Sequence, residues 1–478
     1  MLLAKTPGMI GASGSVAASG ARRPTWLIIL AVSLPMFMAA LDNLVVTNAL
    51  PVIQREFGAS LEELTWTVNA YTLAFASLIL MASALADRFG RRRIFLAGLA
   101  VFTLASLACS LSTNIHMLIA MRAIQGAGGA AVLPLSLTLL STSVPEKLRP
   151  AAIGIWGGVS GLGIALGPLV GGAVVDGLNW TAIFWINVPI GLLCIPLVLV
   201  ALPESWGRTQ RLDVLGLLFA VVGLFALTFA IVRGNDAGWG TPGILVPLIG
   251  GVVLLALFVW WESHTRDPLL PLRLFRHRSF SVANLIAVIF SVGIFGSVFL
   301  LTQFLQIVQG ASPLHAGVMT MPWTMAPLFV APLTGLITPR IGTRPVIVTG
   351  LACMTLGLAW IAVLLDPDVH YKALVPSFIL AGVGMGLVFA PLATTVLSNI
   401  TAADQATASG TNSASRELGV ATGIASLTAV FTAAGGELTP MGFTDAAETA
   451  VAVGVAVLAV ATILGFAIPA RTGLARET

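Results

Sequence analysis

LTWTVNAYTLAFASLILMASALADRFGRRR, residues 64–93, carries the two features that decide the fold. Residues 64–86 contain no charged side chain. As a helix rising roughly 1.5 Å per residue, a run of that length crosses the ~30 Å hydrocarbon layer of a bilayer. It ends in ADRFGRRR, residues 86–93, where Asp87 and four arginines surround Gly90. An apolar run of spanning length stopped by clustered arginines reads as a membrane helix that ends on the side where positive charge is retained.

The pattern repeats along the whole chain. Of its 478 residues, 57% are hydrophobic and only 9% charged, with a mean hydropathy of +0.98. Soluble domains carry about 25% charged residues, so a water-facing surface cannot be built from this composition. Fourteen candidate spans follow, near 26–49, 64–86, 94–112, 115–141, 150–174, 181–202, 212–233, 243–261, 280–304, 315–338, 345–365, 371–397, 408–431 and 447–470. The 49 glycines and 26 prolines fit such helices, where Gly permits close helix approach. With the spans alternating in direction, 20 of the 24 basic residues fall on one side. Only Arg55, Arg233 and Lys372 fall on the other, and Arg122 lies inside a span. The positive-inside rule then puts both termini in the cytoplasm. Arg22-Arg23 resembles a signal-peptide start, but the run that follows is long and lacks a clear cleavage site; an uncleaved first helix is expected.

The expected class is therefore an all-α integral membrane protein. Its divisions are a cytoplasmic tail (1–24), a six-helix bundle (25–203), two inserted helices (204–262), a cytoplasmic linker (263–279), a second six-helix bundle (280–470) and a short tail (471–478). Two six-helix halves fit secondary transporters with internal repeats. Cys109, Cys194 and Cys353 sit in apolar runs and read as small hydrophobes. His116, His264 and His277 are scattered, so no metal site is implied, and the placement of positive charge points to membrane orientation rather than nucleic acid. No GxxxxGK[ST] loop is present, which argues against a built-in ATPase.

Asp42 is the informative acid, set in LPMFMAALDNLVVTNALP, residues 34–51. A charge at membrane depth is costly and faces the bundle interior or a water cavity. Such an acid can bind and release a proton as access switches; the plainer reading is a static ion pair joining helices. Counted from the ends of their spans at ~1.5 Å per residue, Asp42 and Arg122 fall at similar depth, which makes them candidate partners. Asp87 in the 86–93 turn is either part of an orientation signal or a latch onto the positive N-terminus of another helix. GIWGGVSGLGIALGPLVGG, in span five, lacks side chains along one face and predicts close packing with a bend near Pro168.

Together these segments resemble the major facilitator superfamily, in its fourteen-helix drug:proton antiporter branch. LDNLVVTNALP (41–51) is similar to that branch's first-helix motif, which implies a proton-coupling role for Asp42. LADRFGRRR (85–93) resembles the superfamily loop motif, with Asp87, Arg88, Gly90, Arg91 and Arg92 in its pattern. RAIQGAGGAA (122–131) resembles the fourth-helix motif whose arginine, here Arg122, is implicated in proton transfer. Gly154, Gly163, Gly167, Pro168, Gly171 and Gly172 match the fifth-helix antiporter spacing, a pattern of exporters rather than uptake permeases. IFWINVPIG (183–191), RLDVLG (211–216), PLRLFRHRSF and LQIVQGASPLHAG extend the likeness along the chain. Three departures stand out: Ser83 where the loop motif starts with Gly, Thr181-Ala182 in place of Arg-Trp, and Pro339 where the second-half loop motif would carry Asp.

The resemblance implies a monomeric inner-membrane exporter of hydrophobic or cationic compounds in exchange for protons, with no cofactor other than protons as coupling ion, and not an enzyme. Glu417, in ASRELGVATG, is a further candidate for proton coupling. Phe37, Trp66, Gln125, Trp156, Met319, Trp323 and Met385 are candidates for lining a substrate cavity between the halves. The alternatives are a dedicated exporter of one endogenous lipid or secondary metabolite, an uptake symporter, and a non-transporting membrane protein.

Overall fold

The computed structural model describes residues 24–59, 61–177, 179–207, 213–437 and 439–469. Residues 1–23 of the expected N-terminal tail, Arg211 and the tail 471–478 lie outside them. Every regular element among the described residues is helical. Hydrocarbon cannot hydrogen-bond a peptide group, so each apolar run must satisfy its N–H and C=O groups within itself, and the helix does so.

The chain opens with α1 (Thr25–Phe57), α2 (Leu61–Phe89), α3 (Arg91–Ser110), α4 (Ile115–Ser143) and α5 (Arg149–Gly177). The short α6 (Ala182–Trp185) then leads into α7 (Asn187–Ala201). A hairpin of α8 (Val214–Ala237) and α9 (Pro242–His264) follows. The last group is α10 (Arg278–Ile307), α11 (Pro313–Thr324), α12 (Ala326–Ile341), α13 (Thr343–Leu364), α14 (Tyr371–Leu397), α15 (Gln405–Ala433) and α16 (Pro440–Gly465). The sixth expected span is broken between α6 and α7, and the tenth between α11 and α12. Pro189 and Pro327 lack the N–H that would bond the carbonyls of Trp185 and Trp323, which interrupts the helical ladder at both places.

Two boundaries differ from expectation. α1 continues eight residues past 49, to Phe57, and is stopped by Gly58 in the left-handed conformation (φ 61°). The last helix starts at Pro440 rather than 447, because the Thr439 hydroxyl caps the Gly442 N–H and Pro440 sits in the first turn.

The number of apolar spans also differs from expectation. Among the described residues, twelve segments are long and apolar enough to cross a membrane, not fourteen. The two outside that set, α5 and α15, are nonetheless helices of 29 residues each. Several α5 side chains lie outside the described residues. α15 has a physical reason for its low apolarity: Gln405 to Ala414 is rich in Ser, Thr and Asn and mostly buried against protein. A helix ringed by other helices needs no lipid-facing stripe.

Most helix packing falls within α1–α7 or within α10–α16; α5 and α15 bridge the groups, α5 resting on α11, α12 and α14 as well as on α1, and α15 on α2 and α4. α8 touches both groups, through α2 and α15. Phe229 of α8 lies 6.0 Å from the Trp66 ring, and the Asn235 amide donates to the Ala425 carbonyl (2.9 Å). α9 packs chiefly on α8 and exposes Val246, Ile249, Val252 and Trp260, as a lipid-facing helix does. The arginine-rich turns gather at one end of the molecule. There Arg92 and Arg93 meet Glu204, and Arg273 pairs with Asp404 (2.6 Å). Arg416 does not belong with them, although its position at the start of the expected span placed it there. It lies eleven residues into α15, roughly 16 Å along the helix.

Candidate functional site

Asp42 and Arg122 meet inside the first helix group. The carboxylate is 2% exposed and the arginine fully buried. Arg122 Nη1 donates to Asp42 Oδ2 at 2.6 Å. The other oxygen, Oδ1, accepts from Gln125 Nε2 (3.0 Å) and Asn187 Nδ2 (2.6 Å). Gln125 closes the ring: its Oε1 accepts from Arg122 Nη1 (2.6 Å), and its Nε2 also donates to Ser106 Oγ (2.7 Å). Arg122 Nε donates to the Thr67 carbonyl (3.2 Å), and the guanidinium lies 4.4 Å from the centre of the Tyr71 ring. Five elements, α1 to α4 and α7, thus converge on one carboxylate.

Local sequence explains how each group arrives there. Arg122 and Gln125 are three residues apart on α4, so one helix face presents both. Asn187 is the first residue of α7, at the proline-induced break, and the changed helix direction lets its amide reach α1. Opposite charges in a low-dielectric interior interact strongly, but only a satisfied set of hydrogen bonds offsets their desolvation. Asp42 meets that condition with three side-chain donors. Arg122 does not quite: its Nη2 is buried without a hydrogen-bond partner. The arrangement can hold a charged carboxylate, and a proton on Oδ2 would compete directly with Arg122.

Several of these partners escaped the sequence reading. Asn187 was legible in principle, as a polar residue inside the apolar run IFWINVPIG. Ser106, Thr67 and Tyr71 carry no such signal. Gln125, expected on a cavity wall, is fully buried within this network instead. Glu417 is not part of it. That residue is half-buried on α15, close enough for its charge to act on Tyr71.

The second constellation lies at the arginine-rich end. Gly90 (φ 107°) makes the turn between α2 and α3, and a Cβ there would press on the Glu204 carboxylate. Arg91 grips Asp87 (Nε–Oδ1 2.8 Å) and donates to the carbonyls of Ala402 and Ala403 (2.8 and 3.1 Å). Asp87 Oδ2 accepts from Thr407, in the first turn of α15 (3.3 Å). The Arg92 N–H bonds Glu204 Oε1 (2.9 Å), while Arg88 is exposed. Nearby, Ser141 of α4 donates to Gln405 Oε1 (2.7 Å). The two helix groups are therefore closed on each other at this end. In the equivalent turn between α12 and α13, Arg340 donates to the Leu336 carbonyl of its own helix (3.5 Å).

α5 meets its neighbours through glycine. A Cβ on Gly154 would come within 2.6 Å of the Ala331 carbonyl on α12, and one on Gly163 within 3.0 Å of Ala40 on α1. Gly167 and Gly171 are buried, and the side-chain positions of Pro168 and Gly172 lie outside the described residues. Of the remaining expected cavity residues, Trp66 is covered by α8, and Met319, Trp323 and Met385 are buried among α10–α14. Phe37 is half-buried beside Gly163. Trp156 alone among these lines a small cavity between the two groups, with Phe290, Phe389, Asn412 and Arg416.

Comparison with known proteins agrees with this architecture. The chain matches the family described as Major Facilitator Superfamily over residues 32–424. It is 39% identical over 416 residues to the multidrug resistance protein Stp of Mycobacterium tuberculosis (strain CDC 1551 / Oshkosh), covering 86% of this chain and 76% of that one. It is 34% identical over 427 residues to the tetracenomycin C resistance and export protein of Streptomyces glaucescens, covering 88% and 79%. The solved proton:xylose symporter XylE shares the fold at a TM-score of 0.66, with 15% identity over 93% of this chain and 96% of that one. The helical bundle, its apolar spans and the family match over most of its length together make this chain a transporter, not an enzyme, and a member of the Major Facilitator Superfamily.

Proposed function

We propose that this chain exports hydrophobic and cationic compounds across the inner membrane in exchange for protons, by alternating access. The observation that carries the reading is the buried Asp42–Arg122 pair, held at membrane depth by Gln125 and Asn187. A proton arriving at Asp42 neutralises the acceptor and frees Arg122, so protonation and helix packing are linked. Asp42 and Arg122 are the coupling residues, and Glu417 is the reserve acid. The closed contacts of Asp87 and Arg91 are one state of the cycle, and opening them exposes the opposite one.

The reading includes fourteen crossings. α5 and α15 are long enough to span and run among spanning neighbours. The bundles are 25–203 and 280–470, joined by the 204–262 hairpin, with the arginine-rich end and both termini in the cytoplasm. The names of the relatives, multidrug resistance and antibiotic export, support the outward direction and the substrate class. A second reading, export of one endogenous metabolite, draws on the relative named for tetracenomycin C alone.

Proteoliposomes holding the purified protein test this. An imposed proton gradient should drive efflux of several unrelated hydrophobic cations, and Asp42→Asn should abolish it while insertion persists. Gradient-driven efflux that survives Asp42→Asn removes Asp42 from coupling. Efflux of a single compound from a broad panel favours the second reading.

A further inference from the structure

The small cavity between the helix groups has a wall of unusual charge. Arg416 of α15 lines it together with Asn412, Ser413, Trp156, Phe290 and Phe389. Counted from Gln405, Arg416 lies roughly 16 Å along α15, near the middle of a ~30 Å hydrocarbon layer. Among the described residues it has no ion pair or hydrogen bond; its one specific contact is the Phe389 ring, 5.3 Å from Cζ. Glu417, next in sequence, acts on Arg416 through its charge, but it lies roughly 100° round the helix, no salt bridge joins the two, and it leaves the guanidinium donors unused. An arginine at this depth is costly unless something in the cavity answers its charge.

The surrounding groups say what that something is. Asn412 sits one turn before Arg416 on the same face. Its amide already donates to Asn284 Oδ1 (3.3 Å), which fixes it toward the second helix group. Trp156 has its indole N–H occupied by Ser136 (3.0 Å), so it offers the cavity only its ring. Phe290 and Phe389 meet edge to face at 5.4 Å. Aromatic surfaces thus face a guanidinium fork whose donors are unused. A planar fork suits a carboxylate, which can take two parallel hydrogen bonds.

We propose that this cavity, which in the closed state has room for little more than a water, widens as the helix groups part into a substrate subsite for lipophilic organic anions, with Arg416 binding the carboxylate and Trp156, Phe290 and Phe389 the apolar body. The assignment rests on the exporter reading above and extends its substrate class beyond cations. A cation would be repelled from Arg416, so cationic substrates use a different part of the cavity.

The test compares pyrenebutyrate, a lipophilic carboxylate, with tetraphenylphosphonium in proteoliposomes under an imposed proton gradient. The parent protein should export both. Arg416→Gln should cut pyrenebutyrate export about tenfold or more, as expected for losing a charge-assisted pair, and leave tetraphenylphosphonium within about twofold. Arg416→Lys, which keeps the charge without the fork, should fall between parent and glutamine variant, and it decides the matter if the glutamine variant does not insert. Equal losses for both compounds, or unchanged pyrenebutyrate export, overturn the subsite. If the parent exports tetraphenylphosphonium but not pyrenebutyrate, the subsite fails and the exporter reading stands. If it exports neither, both fail.

Discussion

Asp42 and Arg122 are opposite charges withdrawn from water, so removing one partner differs sharply from neutralising the other. Arg122→Ala leaves a buried carboxylate with no cation, at a cost of about 3–5 kcal/mol. Asp42→Asn leaves the buried Arg122 guanidinium without its anion, but the amide keeps the shape and its oxygen can still accept from Arg122, so it should destabilise less than the truncation. Thermal unfolding in detergent should therefore rank Arg122→Ala below Asp42→Asn and both below the parent, and two variants as stable as the parent would mean that the pair does not form. Asn187→Ala removes one of three donors from the carboxylate and should cost about 1–3 kcal/mol, read from the same unfolding curves. A variant as stable as the parent would place the Asn187 amide elsewhere.

At the scale of elements, the sequence-encoded turn between α2 and α3 ties the start of α15 to the first helix group. Asp87 holds Arg91 and Thr407, and Arg91 holds the carbonyls of Ala402 and Ala403. Asp87→Asn keeps the turn but removes the ion pair. Initial efflux rate per inserted molecule should fall severalfold, and a normal rate would reduce the turn to an orientation signal. α5 and α12 touch where Gly154 leaves room for the Ala331 carbonyl. Gly154→Val would force the helices apart, costing about 1–3 kcal/mol, with transport lost before insertion. Full transport by that variant would show that the close approach is dispensable.

For the whole molecule, the two helix groups are closed at the arginine-rich end, and α8 rests on both. If alternating access operates, that end must open in each cycle. Ser141 and Gln405, on α4 and α15, are in hydrogen-bond contact across the closure. With the three native cysteines replaced, Ser141→Cys combined with Gln405→Cys and a short cysteine cross-linker should stop transport, and cleaving the link should restore it. Undiminished transport in the linked protein would mean that these helices do not separate. Epitope tags at both termini should be reachable only after permeabilising cells; one tag accessible from outside would require an odd number of crossings.

Sequence by itself determined the class, the approximate course of the helices and the key charges. Uncharged runs of spanning length leave the backbone no choice but helix in hydrocarbon, and a lone acid or arginine inside such a run announces itself because its burial is costly. Depth along each helix followed from the rise per residue, which is why Asp42 and Arg122 could be matched. The tertiary structure decided what lies beside what. Asn187 reaches Asp42 because Pro189 breaks a helix, Gln125 turned inward to the carboxylate, and Arg416 faces the cavity between the groups. None of these follows from depth or composition, since lateral neighbours depend on how helices pack around one another. The same holds for α15, whose polar surface is affordable only because other helices enclose it.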